Sequence, residues 1–221
     1  MSKENSKDKE NSKDKEIKHA YVSNTLETRV APPMINLLVV DNFYAEPMKI
    51  RNFILTQPFN VKGNYPGRRT QSFATESLKN TIEKYVSPTC GKITLFPSKK
   101  TSYNGAFQYT TSRDRSWVHV DGWNTWAGVL YMTPNAPLRS GTATFMHKDG
   151  ERETYKDSTK NKKFGTDSQD MSKWHMIDNV ANVFNRLILF RSKQFHTSMI
   201  YFGQNQHDGR LFQTFFFNTE R

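Results

Sequence analysis

The stretch WVHVDGWNTWAGVLYM, residues 117–132, decides the fold. Two runs of strand-forming residues, 117–121 and 127–132, flank a short glycine-containing turn, so the sequence predicts a strand, a turn and a second strand. Side chains alternate between the two faces of a strand, which places His119 and Asp121 on the same face. An imidazole and a carboxylate that project together can supply two neighbouring ligands to one metal ion.

A third ligand would complete a well-defined metal site. His196 follows the apolar run 187–190, which predicts a buried strand. Together with His119 and Asp121 it would form a 2-His-1-carboxylate facial triad, which binds non-haem Fe(II) and leaves three coordination positions open. Taken alone, a His-X-Asp triplet has little specificity, because such triplets often arise by chance on protein surfaces.

Length and composition exclude several classes of protein. With 221 residues the chain can form one domain with a core and a tail. Cys90 is the only cysteine, which excludes an internal disulfide and a multi-thiolate metal site and favours a reducing, cytoplasmic compartment. The sequence has no apolar run long enough for a membrane span and no secretory signal at its charged N-terminus, so we expect no membrane association.

Charge divides the chain into a tail and a body. The hexapeptide KENSKD occurs twice, at 3–8 and 9–14, in a segment without apolar residues after Met1. We therefore predict a disordered low-complexity tail over 1–18 and a single domain over 19–221. The first sixteen residues have balanced charges, so the body holds the net charge of +11. This excess predicts either an acidic partner or a solvated lysine-rich surface.

Helical patterns come first in the body and strand patterns follow. A strand over 35–40 precedes a helix that starts near Pro47, and Thr75 is the predicted N-cap of a second helix. The intervening segment, Gly63–Arg69, is predicted to be a loop. Short strands are then predicted at 93–96, 106–110, 117–120, 127–132, 142–146, 183–190, 199–202 and 211–217. The polar range 147–182 is predicted to be a long insert between strands. An insert of this length could serve as a lid.

This order predicts a mostly β fold with flanking helices (α+β). The expected architecture is a double-stranded β-helix, or jelly roll, with the N-terminal helices packed outside. In the last strand, Arg210, Phe212, Thr214 and Phe216 share one face. A buried unpaired Arg210 would be costly, whereas a guanidinium that binds a carboxylate would be stable there. The alternative is that Arg210 is exposed at the strand end.

The order of these motifs resembles the Fe(II)/2-oxoglutarate dioxygenase superfamily, and within it the prolyl 4-hydroxylase-like branch. The resemblance covers roughly 103–217. It rests on an aromatic-rich strand, His-X-Asp, a tyrosine-containing strand, a Gly-Thr turn, an apolar strand, a distal histidine and a basic residue before the closing aromatic strand. The matching positions in this sequence are Tyr109, His119, Asp121, Tyr131, Gly141, Thr142, Phe145, His196 and Arg210.

The resemblance implies a role for each of these residues. His119, Asp121 and His196 would bind Fe(II), and Arg210 would pair with the distal carboxylate of 2-oxoglutarate. Tyr131 would donate its hydroxyl to the same carboxylate. Tyr109 and Thr142 are weaker matches, expected only as pocket residues. The cofactors implied are Fe(II), 2-oxoglutarate as co-substrate, O2, and ascorbate as reductant.

The activity implied is the hydroxylation of a C–H bond, with succinate and CO2 as co-products. A protein or peptide side chain, as in prolyl hydroxylases, is the first substrate class by resemblance. One alternative is a nucleic-acid oxidative demethylase, which the basic body favours. That branch usually has a second arginine six residues after the first, where this chain has Phe216. Another alternative is a non-catalytic jelly-roll binding or structural module. The sequence predicts neither the target atom nor the oligomeric state.

Overall fold

The computed structural model describes residues 34–153 and 158–221, apart from the side chains of 158–161. Residues Ile35–Arg221 form one compact unit. The predicted tail, 1–18, lies outside the described residues. No helix in the described ranges has the length and apolar character needed to cross a bilayer.

Strands dominate the described part of the chain. In chain order its helices and strands are β1 (Leu37–Val40), α1 (Pro47–Leu55), β2 (Arg68–Ser72), α2 (Glu76–Cys90), β3 (Ile93–Leu95), β4 (Ala106–Thr110), β5 (Trp126–Tyr131), β6 (Thr142–His147), α3 (Ser158–Asp167), β7 (Trp174–Val180), β8 (Leu187–Arg191), β9 (His196–Ser198) and β10 (Arg210–Thr219). Short 3-10 turns cover Leu138–Ser140 and Met171–Lys173. The predicted mostly β class is confirmed.

The strands form two antiparallel sheets. The larger sheet has the order β1-β8-β5-β10-β4-β2, with β3 pairing to the far end of β10. The smaller sheet has the order β7-β6-β9. Both sheets contribute side chains to one cavity, since Phe212 and Thr214 of the larger sheet and Thr142 and His196 of the smaller sheet line it. The candidate site is therefore inside the β-rich part of the fold.

The outer face of the larger sheet is covered by the two N-terminal helices. The helices contribute Ile54, Ile82 and Val86 to a core that also contains Phe215 and Phe217 of β10, and all five are at most 1% exposed. Burying each such side chain contributes about 1.5–3 kcal/mol. This packing confirms the prediction that the N-terminal helices lie outside the β-fold.

The start of α2 is the one that the sequence predicts. The hydroxyl of Thr75 accepts a hydrogen bond from the backbone N–H of Leu78 at 3.2 Å, which caps the helix. On the same helix Ile82 is fully buried, whereas Tyr85 is 40% exposed. In α1 Phe53 is 53% exposed, whereas Arg51 is buried and donates to the carbonyls of Met132 and His207.

A second core supports the smaller sheet. It contains Phe164 of α3, Trp174 of β7, Phe195 and Val118. The backbone N–H of Val118 also donates to the carbonyl of Ser168 at 2.9 Å. These contacts fix the segment that carries His119, because Val118 points into this core and its neighbour points the other way.

Several predicted boundaries were wrong. The predicted strand over 117–120 forms only a single β-bridge, at His119. The predicted strand over 199–202 is shifted, because β9 ends at Ser198. Arg68 and Arg69, predicted as loop, begin β2. The predicted polar insert 147–182 contains helix α3 and strand β7, and β7 pairs along the whole of β6, so it is not a continuous loop.

Candidate metal centre

The three predicted metal ligands come together at one point of the cavity. The ligand atoms of His119, Asp121 and His196 all lie within 4.8 Å of one another. The Nε2 of His196 is 3.1 Å from one carboxylate oxygen of Asp121, and the Nε2 of His119 is 3.9 Å from the other. The imidazole centroids of the two histidines are 4.5 Å apart. Atoms spaced in this way can bind one ion from a single side.

Backbone hydrogen bonds set the orientation of both imidazoles. The Nδ1 of His119 lies 2.8 Å from the carbonyl oxygen of Trp117, and the Nδ1 of His196 lies 2.9 Å from that of Gln194. A carbonyl can only accept, so each Nδ1 is a donor, and in the neutral imidazole Nε2 then holds the lone pair. This is the arrangement in which histidine binds metals, with the second ring nitrogen held by a neighbouring acceptor.

The charges of the site also favour cation binding. Burial alone would raise the pKa of the Asp121 carboxyl, but the charge and hydrogen bond of His196, together with His119 and Arg69, hold that pKa below its usual value. Burial and the neighbouring His196 lower the pKa of His119. The lowered pKa values of Asp121 and His119 favour an ionised carboxylate and a neutral imidazole, which are the protonation states that a metal requires.

Arg210 lies fully buried at the start of β10. Its Nε donates to the carbonyl of Ser140 at 2.8 Å, and one terminal nitrogen donates to the hydroxyl of Thr142 at 3.3 Å. The hydroxyl of Tyr131 donates to the same Thr142 oxygen at 2.9 Å. Burial raises the pKa of Tyr131, although the charge of Arg210 opposes that shift, so the phenol keeps its proton. Arg210, Tyr131 and Thr142 are thus in one polar cluster.

Two buried polar atoms, at Arg210 and at the residue paired with it on β4, have no hydrogen-bond partner among the described residues. They are the Nη1 of Arg210 and the hydroxyl oxygen of Thr110, which lies opposite Arg210 on β4. An unsatisfied buried donor costs about 1–3 kcal/mol. A carboxylate has enough acceptor positions to satisfy both, so this cluster fits the distal end of 2-oxoglutarate.

The cavity has a volume of about 560 Å³ and is lined by residues of both sheets. His119, Asp121 and His196 line it, as does Thr142. Tyr109 does not, because it lies on the opposite face of β4 and packs edge-on against Phe59, with 5.0 Å between ring centroids. Arg210 and Tyr131 do not line the cavity either, but both contact Thr142, whereas Tyr109 packs in the outer core.

Sequence reasoning missed several residues of the cavity wall, among them Gln108 and Arg69. Gln108 precedes Tyr109 on β4 and faces the cavity, and Arg69 of β2 lies directly opposite Gln108 in the sheet. The alternation in β4 could have found Gln108, since Phe107 and Tyr109 form the apolar face. Arg69 had no such signal, because the residues around it carry no apolar alternation.

A family model covers most of the chain. The model, described as a family of unknown function, DUF6445, matches residues 25–217. The chain belongs to this family. No curated protein sequence matches this DUF6445 member.

Several solved structures are similar to this DUF6445 member. HygX from Streptomyces hygroscopicus, with nickel and 2-oxoglutarate bound, has a TM-score of 0.55 at 11% identity, over 89% of this chain and 84% of that chain. The iron-bound form of HygX has a TM-score of 0.50 at 9% identity, with the same coverage of 89% and 84%. A prolyl hydroxylase from Trichoplax adhaerens, in complex with a hypoxia inducible factor peptide fragment, has a TM-score of 0.47 at 15% identity, over 93% and 91% of the two chains.

The HygX comparisons establish the fold. The chain shares the fold of HygX, and together with its two antiparallel sheets this confirms the predicted jelly-roll fold class. A shared fold does not determine an activity, so the function has to be argued from the site itself.

Proposed function

We propose that this protein is an Fe(II)- and 2-oxoglutarate-dependent dioxygenase that hydroxylates a C–H bond. The observation that carries the proposal is the grouping of the His119, Asp121 and His196 ligand atoms within 4.8 Å, with both Nδ1 atoms held by backbone carbonyls. This donor set, two imidazoles and one carboxylate, is the set typical of non-haem Fe(II) oxygenases.

The polar cluster around Arg210 supports 2-oxoglutarate as the co-substrate. Arg210 would bind its distal carboxylate through the unpartnered Nη1, and Tyr131 would donate its hydroxyl to the same group. Both side chains now donate to the hydroxyl oxygen of Thr142, so Tyr131 would turn its one proton from Thr142 to the carboxylate while Thr142 keeps its contact with Arg210. When bound, Fe(II) with 2-oxoglutarate and O2 would supply the oxidising power for hydroxylation, with succinate and CO2 as co-products.

The protein's own residues then have three tasks. His119, Asp121 and His196 hold the metal, and the backbone acceptors behind the histidines fix their direction. The apolar walls of the cavity, which include Phe190, exclude water from the reacting atoms. Ascorbate would serve as the external reductant that keeps iron ferrous.

For the substrate we propose a side chain of a protein or peptide. The cavity of about 560 Å³ has room for a small co-substrate and one further group of side-chain size. A nucleic-acid base is the less favoured candidate, because Phe216, where a second arginine would be expected, is an apolar cavity-lining residue. The third candidate is a jelly-roll module that binds a partner without catalysis.

Conversion of 2-oxoglutarate to succinate tests the proposal. The purified protein is incubated with Fe(II), ascorbate and 2-oxoglutarate in air, and succinate is measured by mass spectrometry. We expect slow succinate formation that is lost in His119→Ala. Absence of both succinate and bound iron in the natural sequence would favour the binding-module alternative.

A further inference from the structure

Arg69 is a buried cation inside the cavity that the proposed metal and co-substrate sites leave unused. Its side chain is 5% exposed, and it lines the same cavity as His119 and Asp121. Along one row of the larger sheet, Arg69 of β2 lies opposite Gln108 of β4, and Gln108 lies opposite Phe212 of β10. Paired residues share a face, so Arg69 projects from the inner face of the sheet.

A neutral partner holds this guanidinium in place. The Nε of Arg69 donates to the side-chain oxygen of Gln108 at 2.9 Å, and one terminal nitrogen donates to the same oxygen. The amide nitrogen of Gln108 donates to the carbonyl of Pro66 at 2.6 Å, which fixes the direction of the amide. Gln108 therefore positions Arg69 without neutralising its charge.

Two tyrosines complete the surroundings of Arg69. Its guanidinium carbon lies 3.7 Å from the ring centroid of Tyr65 and 4.5 Å from that of Tyr103. The two rings stand at 86° to one another, with their centroids 5.6 Å apart, and both line the cavity. Aromatic faces stabilise a desolvated cation, but they add no negative charge.

The charge of Arg69 has no direct counter-ion among the described residues. Burial lowers its pKa to about 10, against smaller opposite effects of Tyr65, Tyr103 and Asp121, so it remains protonated at neutral pH. Asp121 is a proposed metal ligand, so a bound metal cation would offset its negative charge. The Nη1 of Arg69 is buried and has no hydrogen-bond partner in the described part of the chain. Such a group costs free energy until an anion pairs with it.

We infer that Arg69, positioned by Gln108, binds a carboxylate of the substrate. The inference rests on the proposed function, since it assigns 2-oxoglutarate to the metal and to Arg210. Arg210 lies on β10, two strands away from β2, and has its own unpartnered Nη1, which leaves Arg69 free for a second anion. The planar fork of a guanidinium matches the two oxygens of a carboxylate. The carboxylate comes from a small acid or from the C-terminus of a peptide.

Paired acids and amides test this inference directly. The protein is loaded with Ni(II) and 2-oxoglutarate, and binding of both is measured first, because their failure to bind would contradict the proposed function and not this inference. N-acetylated amino acids and tetrapeptides are then titrated by calorimetry at millimolar concentration. Each compound is compared as the free acid and as the C-terminal amide. Each pair differs by one charge, and the two sets separate a small acid from a peptide as the source.

The matched variants are Arg69→Gln and Arg68→Gln. Arg68 is exposed on the opposite face of the same strand, so its loss changes the net charge by the same amount without touching the cavity. We expect acids to bind about tenfold or more tightly than their amides in the natural sequence and in Arg68→Gln, because a hydrogen-bonded charge pair is lost with the amide. In Arg69→Gln this preference should disappear while 2-oxoglutarate binding is kept.

Three results would overturn the inference. The first is that the natural sequence binds acids and amides equally, or binds neither. The second is that Arg69→Gln keeps the preference for acids. The third is that Arg69→Gln loses 2-oxoglutarate binding, which would assign Arg69 to the co-substrate. Should Arg69→Gln not fold, Arg69→Lys replaces it. Lysine keeps the charge but not the fork, so a clearly reduced acid preference supports the inference and an unchanged preference contradicts it.

Discussion

His119 and His196 exchange two backbone hydrogen bonds, although 77 residues separate them in the sequence. The N–H of His119 donates to the carbonyl of His196 at 3.0 Å, and the N–H of His196 donates to that of His119 at 2.9 Å. The pair thus forms an isolated antiparallel β-bridge. Because main-chain atoms make the bridge, the two ligand positions are held together independently of their imidazoles.

Replacing an imidazole should therefore remove the metal without removing the fold. For His119→Ala we expect loss of Fe(II) binding and of succinate formation, with far-UV circular dichroism unchanged and the free energy of unfolding of the metal-free protein changed by about 1 kcal/mol or less. The control is His175→Ala, which removes an exposed histidine of β7. Iron bound by His119→Ala as tightly as by His175→Ala would contradict the ligand assignment.

Arg210→Ala tests the co-substrate site. The change leaves the carboxylate of 2-oxoglutarate buried without its partner, which costs about 2–5 kcal/mol. We expect the Kd for 2-oxoglutarate to rise by about 30-fold to several thousand-fold. The control is Arg186→Ala, which removes a cation that pairs with Asp41 at 2.6 Å outside the cavity. An equal, small effect of both changes would mean that another residue binds this carboxylate.

Tyr131 and Tyr109 give a matched pair of single-atom changes. Tyr131→Phe removes the hydroxyl that contacts Thr142 and keeps the ring, so the Kd for 2-oxoglutarate should rise by a factor that corresponds to about 0.5–1.5 kcal/mol. Tyr109→Phe should leave it unchanged, because that ring packs on Phe59 in the outer core. The Kd is measured by titrating 2-oxoglutarate into both variants. A larger rise in Kd for Tyr109→Phe than for Tyr131→Phe would contradict our placement of the two rings.

The packing of α2 on the larger sheet can be tested by unfolding in urea. Ile82 is fully buried and Tyr85 is 40% exposed on the same helix. We expect Ile82→Ala to lower the free energy of unfolding by about 2–5 kcal/mol, through lost burial and a cavity. Tyr85→Ala should lower it by about 1 kcal/mol or less. Similar losses in both variants would mean that this face of the helix is not packed as described.

The strongest parts of the sequence prediction came from strong local patterns. The apolar run 187–190 forms the first four residues of β8, and the alternation of β10 places Phe212, Thr214 and Phe216 toward the cavity. A strand buried on one face has a period of two, so its inward residues can be read without a structure. For the same reason His119 and Asp121 were recognised as a pair.

The weaker parts depend on contacts that no local pattern encodes. Strand β2 reads RRTQS and β7 reads WHMIDNV, and neither has the apolar alternation of a buried strand. Their pairing partners, β4 and β6, hold them in the sheets by backbone hydrogen bonds. Arg69 was missed with β2, since its importance comes only from its place opposite Gln108 in the sheet.

A ferrous-ion titration of the metal-free protein under nitrogen, with 2-oxoglutarate present, tests the central claim most directly. We predict one Fe(II) per chain for the natural sequence and no specific binding for Asp121→Ala, because the carboxylate is the one charged ligand of the set. Stoichiometric iron binding that survives Asp121→Ala, or no iron binding by the natural sequence, would contradict the account.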